Sequence, residues 1–207
     1  STVGIPVPGM DLDIVDDEGN SVRGKNGYLV IKSPWPAMTR GLLNDDDRYM
    51  KTYWSRFENI WFHGDYVFAD EDNLWYMQGR SDDVINVSGH RMSTAEIEHA
   101  VISHNKISDA ASISIPDELT GEAIVVFFVS NDDDCVNLES EIMEHISKKI
   151  GKIAKPKKIF QLSDLPKTRT GKIMRRLLKA KLMGTELGDL SSLESPDILD
   201  EINKLNK

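Results

Sequence analysis

Gly79-Arg80-Ser81-Asp82-Asp83-Val84-Ile85-Asn86-Val87-Ser88-Gly89-His90-Arg91 is the stretch at which the chain changes character. Before it, strand-like segments alternate with turn residues. After it, Ser93-Thr94-Ala95-Glu96 has the spacing of a capping box, and Ile97, Val101 and Ile102 follow at helical intervals. A boundary therefore falls near Asp82: residues 1–82 read as β-rich, and an α+β region of ordinary domain size follows.

Upstream, Leu12–Val15 leads into the turn Asp17-Glu18-Gly19-Asn20, and Gly27–Ile31 is a second strand. Trp61–Phe68 and Leu74–Met77 bracket Asp70-Glu71-Asp72-Asn73, a hairpin pattern. Ser33–Glu58 reads as a long irregular loop. Downstream, Val84–Val87, Ala111–Ile115, Ala123–Val129 and Lys158–Leu162 read as strands, and Leu138–Ile150 and Ile173–Leu182 as helices. The tail from Gly184 has one helix candidate, after Pro196. No internal repeat is present.

Composition narrows the function classes. The chain has 207 residues, 40% hydrophobic and 29% charged, which is globular composition. No apolar run has the length of a membrane span, and no secretory signal opens the chain. The single cysteine, Cys135, follows Asp132-Asp133-Asp134. It fits a reducing, cytoplasmic setting, and its acidic neighbours disfavour a reactive thiolate. The first residues, Ser-Thr-Val-Gly, read as a piece of something longer.

The net charge of −9 conceals an asymmetry. Residues 148–181 carry thirteen Lys or Arg and one acid, a local +12. Such a segment calls for an anionic ligand, either nucleic acid or a phosphorylated small molecule. Within it, Leu165-Pro166-Lys167-Thr168-Arg169-Thr170-Gly171-Lys172-Ile173-Met174-Arg175-Arg176 places a flexible cation, Lys172, just after a glycine turn and before a helix. A lone ammonium there suits charge developing on a phosphate.

Two further constellations carry chemistry. Gly64-Asp65 fixes a carboxylate able to accept from vicinal hydroxyls such as those of a ribose. The Gly79–Arg91 stretch has arginines at both ends of a short apolar strand, suited to phosphate or ribose oxygens. A surface hairpin with solvated charges is its plain structural alternative. There is no Walker A loop, no Gly-x-Gly-x-x-Gly and no His/Cys spacing for zinc. Trp35, Trp54, Trp61 and Trp75 lie outside the basic segment and read as core.

These motifs, in this order, resemble the C-terminal part of the acyl-adenylate-forming enzymes, most closely the AMP-forming acetyl-CoA synthetases. The likeness also runs through Pro34-Trp35-Pro36, Arg48-Tyr49, Thr52-Tyr53-Trp54, Gly121-Glu122-Ala123 and Gly188-Asp189-Leu190-Ser191-Ser192-Leu193. It implies an α+β chain. Residues 1–82 would be the last, distorted barrel-like subdomain of a large AMP-binding domain. Residues 83–183 would be a small mobile lid, and 184–207 a tail. A barrel remnant without its partner would expose an apolar face, self-associate and be inactive alone.

The resemblance also implies a reaction. Acetate or another short carboxylate such as propionate attacks ATP to give an acyl-adenylate, and CoA then takes the acyl group. ATP, CoA and Mg2+ are the implied cofactors, with no nucleic acid or membrane partner. By position, Asp65 would bind the ribose, with Arg80 assisting. Asp82 would be the hinge, Arg91 would meet ATP phosphates, and Lys172 would reach the α-phosphate. Ser88 and Gly89 would line the pantetheine tunnel, and Ile102, His104 and Ile107 would hold a cation. A lysine acyltransferase and deacylase would act on Lys172, removing and restoring its charge. His63 stands where relatives carry Ser or Thr before Gly-Asp. Ser147 stands where relatives carry an arginine for the CoA phosphate, leaving Lys148 or Lys149 as the local point charges.

Overall fold

The computed structural model describes residues 2–131 and 137–204. Cys135 and the Asp132–Asp134 run lie outside the described residues. The chain divides into two compact units, Ser1–Val84 and Ile85–Lys207.

The first unit is an antiparallel sheet of β1 (Leu12–Val15), β2 (Asn26–Ile31), β3 (Trp61–Ala69) and β4 (Trp75–Arg80), in that spatial order. Among the described residues the sheet runs from β1 to β4 and does not close into a barrel. The outer edge of β4 is met instead by the N-terminal residues, with Val3 N–H donating to Trp75 O (2.8 Å) and Trp75 N–H to Gly4 O (2.8 Å). Alternation along the strands sends Ile14, Leu29, Val67 and Trp75 to one face, and Val15, Tyr28, Val30 and Tyr66 to the other. Both faces are therefore apolar.

Ser33–Glu58 is not wholly irregular. It holds α1 (Asp46–Tyr53), whose cap is Asp45, accepting from Arg48 N–H at 3.3 Å. The run Asn44-Asp45-Asp46-Asp47 looks like a turn, but a capping aspartate with acids in the first turn is equally a helix start. Only Tyr49 of α1 is buried, so apolar periodicity gives almost no signal. Tyr53 stacks on Trp61 at 4.3 Å, and Trp35 and Trp54 meet Trp61 edge-on. This is the tryptophan core the sequence suggests.

The second unit has a five-stranded sheet. β5 (Val84–Val87) and β6 (His90–Ser93) form a hairpin through Ser88-Gly89. Both loop residues have positive φ, 51° and 85°, as a two-residue primed turn requires. β7 (Ile107–Asp117) pairs antiparallel with β8 (Gly121–Ser130), and β9 (Lys158–Gln161) lies parallel to β8.

β8 reads as one apolar run because helices cover both sheet faces. Ile124, Val126 and Phe128 pack with α2 (Thr94–Ile102) and α3 (Leu138–Lys149). Val125 and Phe127 pack with α4 (Arg175–Met183) and α5 (Ile198–Lys204). Phe127 and Phe128 are both 0% exposed; truncating either to alanine costs about 3–5 kcal/mol. Ser93 caps α2 by accepting from Ala95 N–H at 3.1 Å. The tail after Gly184 is part of this core: Leu193, Ile198, Leu199 and Ile202 are buried with Leu165, Leu177 and Leu178.

Candidate functional site

In the first unit the site is built on the β3–β4 pairing, where Asp65 stands directly opposite Arg80. Arg80 Nη1 donates to Asp65 Oδ1 at 3.2 Å, and His63 Nδ1 lies 2.8 Å from Asp65 Oδ2. The Asp65 side chain is 16% exposed and that of Arg80 53%. A half-sheltered carboxylate is thus held between two nitrogen donors and retains lone pairs toward solvent. Gly64 makes the contact possible. Its φ is +90°, and a β-carbon there would lie 2.6 Å from Arg80 Nη2. Ser81 Oγ donates to Gly64 O at 3.1 Å. Arg80 Nε reaches Asp82 Oδ1 at 3.4 Å, and Asp82 sits in a single 3₁₀ turn, 76% exposed. His63 thus has a defined place beside Asp65.

In the second unit, Lys172 stands at the base of a tight hairpin. Thr168 N–H donates to Lys172 O (2.8 Å), Lys172 N–H to Thr168 Oγ1 (3.1 Å), and Gly171 N–H to Thr168 O (2.8 Å). Gly171 has φ +80° with open space around it, so the turn geometry, not crowding, selects glycine. The Lys172 side chain is exposed, and among the described residues its ammonium has no hydrogen bond or ion pair. Its backbone is fixed and its charge is available.

Most other cations of the basic segment are engaged. Arg175 forks onto Glu98 at 2.9 and 2.7 Å. Lys167 bridges Asp109 and Asp164, both at 2.9 Å, and these carboxylates hold its ammonium above the usual range. Lys148 pairs with Glu144 at 2.8 Å, and Lys157 pairs with Asp117. Four cations of the segment are thus held by carboxylates within the unit, while Lys152, Lys155 and Lys172 stay exposed.

A pocket of about 320 Å³ opens beside Ser88, lined also by Asp117, Thr120, Lys152, Lys155 and Lys157. Ser88 is tied to its wall by donating N–H to Thr120 O at 2.8 Å. Asp117 accepts from Lys157 and from Thr120 Oγ1 (2.7 Å); these bonds lower its carboxyl to about 2. A second pocket, about 390 Å³, lies along α3 at Ser147 and shares Lys152 and Lys155. Ser147 Oγ donates to Met143 O at 2.9 Å.

Lys152 and Lys155 line both of these pockets. Only the turn Gly151–Ala154, with Gly151 at φ +128°, carries them there, and no linear motif announces it. Gly89 and Arg91 lie exposed on the β5–β6 hairpin.

Ile102 ends α2, and His104 and Ile107 follow in the turn to β7, where Ile107 N–H donates to His104 O at 3.1 Å. His104 packs edge-on against His145 at 5.3 Å, and its Nδ1 is buried without a partner. Among the described residues no three His, Cys, Asp or Glu side chains converge as metal ligands. The turn offers main-chain oxygens, donors for a hard cation and not for zinc.

Residues 96–172 match the AMP-binding enzyme C-terminal domain. The chain is 47% identical over 206 residues to an acetyl-coenzyme A synthetase of Pyrobaculum arsenaticum, covering 98% of this chain and 31% of that protein. It is 44% identical over 200 residues to the Streptomyces coelicolor acetyl-coenzyme A synthetase, covering 95% and 31%. Among solved structures it is similar to the acetoacetyl-CoA synthetase of Streptomyces lividans, with TM-score 0.83, 27% identity, and 99% of this chain and 32% of that one covered. An anthranilate CoA ligase in complex with anthranoyl-AMP gives TM-score 0.73 at 29% identity, covering 86% and 34%. The chain thus spans about a third of the length of the relatives it matches. No helix among the described residues is long and apolar enough to cross a membrane. By sequence, the chain is similar to acetyl-coenzyme A synthetases over about a third of their length, and by fold to the corresponding part of solved CoA synthetases and ligases.

Proposed function

We propose that this chain supplies part of the nucleotide site and the working cation of an AMP-forming acetate–CoA ligase. In the first step an acetate oxygen attacks the α-phosphorus of ATP, the bond to the β-phosphate oxygen breaks, and pyrophosphate leaves. In the second, the sulfur of CoA attacks the acetyl carbonyl carbon, the carbon–oxygen bond to AMP breaks, and the thiol proton passes to solvent. Acetate is preferred over propionate or another short carboxylate because the relatives matched at 47% and 44% identity are acetyl-coenzyme A synthetases.

The observation that carries the reading is Lys172: an exposed ammonium without a partner among the described residues, on a backbone pinned by Thr168. It is placed to meet charge that grows on the α-phosphate as pyrophosphate departs, a contact stronger in the transition state than in the ground state. Asp65 accepts from the ribose hydroxyls while Arg80 and His63 hold its orientation. Asp82 serves as hinge and Arg91 meets the phosphates. Ser88 and Gly89 line the path of the pantetheine, and Lys152 and Lys155 receive CoA phosphate. The nucleotide enters as its Mg2+ complex, the ion held by phosphate oxygens. Ile102, His104 and Ile107 offer carbonyl oxygens to a separate structural cation. Acylation of Lys172 by a lysine acyltransferase, reversed by a deacylase, would abolish its charge and switch off the first step.

The test is acetate-dependent ATP–pyrophosphate exchange by the complete native chain and by Lys172→Ala. Exchange should fall by roughly 10²–10³ in the variant, while supplied acetyl-AMP and CoA still give acetyl-CoA. Equal exchange in both proteins would remove Lys172 from the first step. No exchange with acetate or any other short carboxylate would remove the reaction itself.

A further inference from the structure

We infer that Arg176 is a positioning residue for Lys172, acting through the tail; this rests on the role proposed for Lys172. Arg176 lies on the first turn of α4, just past the Lys172 hairpin, and its guanidinium donates to two carbonyls of the tail, Leu187 O and Asp189 O. The residue between them, Gly188, has φ +65°, and a β-carbon there would approach Arg176 Nη1 to 3.4 Å. The turn is closed by Asp189, whose carboxylate accepts from Ser191 N–H (2.9 Å) and Ser191 Oγ (3.0 Å).

The chain leaving this clamp runs back along the hairpin. Arg169 N–H donates to Ser192 O at 3.3 Å, Glu194 N–H donates to Lys167 O at 3.0 Å, and Thr168 pairs with Leu193. Thr168 is also the residue that holds the Lys172 backbone on its other side. The tail is therefore a third extended segment bridged to a two-sided turn, and Thr168 stands between them. Isolated two-stranded turns are marginal in water, and a third strand is what gives such a unit independent order. Leu193 anchors the strap in the core at 6% exposure.

Two carbonyls on one turn need two donors in a fixed plane. The guanidinium fork supplies them, and a lysine reaches only one. A flexible side chain such as Lys172 gains rate from a fixed origin, because misplacement of about 1 Å costs on the order of 10²-fold.

The experiment is a double-mutant cycle in the complete native chain, read by acetate-dependent ATP–pyrophosphate exchange. Arg176→Ala should lower exchange roughly tenfold to a hundredfold, and Arg176→Lys should recover part of it. Gly188→Ala, which disturbs the clamp without replacing the arginine, should lower exchange in the same direction. In a Lys172→Ala background, Arg176→Ala should change exchange no more than about twofold, because its effect passes through the missing ammonium. Conversion of supplied acetyl-AMP to acetyl-CoA should stay within about twofold of the parent in every variant. Hydrogen exchange should quicken at the Thr168 and Arg169 amides in Arg176→Ala.

A loss that persists undiminished in the Lys172→Ala background would overturn the proposal and make Arg176 merely structural. Unchanged protection at Thr168 and Arg169 would overturn it as well. If the parent shows no exchange with any carboxylate, the proposed reaction falls, and the two amides then decide the strap alone.

Discussion

Arg175 and Glu98, 77 residues apart, form a two-pronged ion pair at 2.9 and 2.7 Å, joining the first turn of α4 to α2. Glu98 is 7% exposed, and its Oε1 also accepts the Ser112 N–H of β7 at 2.8 Å. One carboxylate thereby ties two helices and a strand, and the helix it fixes is the one that follows Lys172. A buried pair of this kind adds little net stability over an apolar substitute, but half of it is costly to leave behind.

Arg175→Met should therefore destabilise the second unit by about 3–5 kcal/mol. The measurement separates the units by probe. Trp35, Trp54, Trp61 and Trp75 all lie in the first unit, whereas α2 to α5 lie in the second. The helical circular-dichroism transition should move to lower denaturant while the tryptophan transition moves less. Coincident shifts of equal size would contradict the assignment of this pair to the second unit alone.

The acid sensitivity of the first unit should depend on Asp13. Burial alone raises its carboxyl, but bonds from Ser21, Lys32, Arg23 and the Ile14 amide outweigh burial and bring it to about 2, from an ordinary 3.8. A carboxylate depressed in the folded state contributes stability above its unfolded value and loses it as pH falls toward the folded one. Tryptophan-monitored stability of the first unit should decline between about pH 4 and 2, and Asp13→Asn should flatten that decline while lowering stability at neutral pH. An unaltered slope in the variant would place the acid sensitivity elsewhere.

Gly64→Ala and Gly171→Ala should differ in kind. Both glycines have positive φ, 90° and 80°, so each substitution strains the backbone by about 1 kcal/mol or more. Only at Gly64 does the new methyl also meet Arg80, 2.6 Å from Nη2. Gly64→Ala should raise the ATP KM in the exchange assay several-fold, by driving Arg80 off Asp65. Gly171→Ala should act mainly on the turnover number, through the Lys172 turn. Equal KM changes would show that the Arg80 clash is relieved at no cost.

How much of this was legible in the residues depends on whether the signal was local. β8 is an unbroken apolar run, and its place between two helical layers follows from that. The Ser93 cap and the Lys172 turn are written in adjacent residues. α1 was lost because one buried residue, Tyr49, leaves no periodic stripe. The barrel was expected from likeness to a larger domain, and among the described residues the four strands from β1 to β4 do not close into one. Other partners are set by tertiary approach. Nothing near Glu98 announces Arg175, and nothing near Arg176 announces the Leu187 and Asp189 carbonyls. The basic segment shows that cations are plentiful, and only the fold shows which ones carboxylates have already taken.

Lys152 and Lys155 give the last prediction. They are exposed, line the two pockets beside Ser88 and Ser147, and flank the turn that follows α3. Lys148, the nearer candidate by sequence, is held by Glu144 at 2.8 Å. If the pockets receive the phosphates of CoA, each lysine acts as a point charge at a solvated rim, worth up to about 1 kcal/mol and weakened by salt. The double variant Lys152→Ser, Lys155→Ser should raise the KM for CoA several-fold, up to about thirtyfold, at low ionic strength, and less at high salt. Acetate-dependent ATP–pyrophosphate exchange, which needs no CoA, should be unchanged. The same treatment of Lys148 and Lys149 should do little, because Glu144 already neutralises one of them. A larger CoA effect from Lys148 and Lys149 than from Lys152 and Lys155 would return the phosphate contact to the α3 surface.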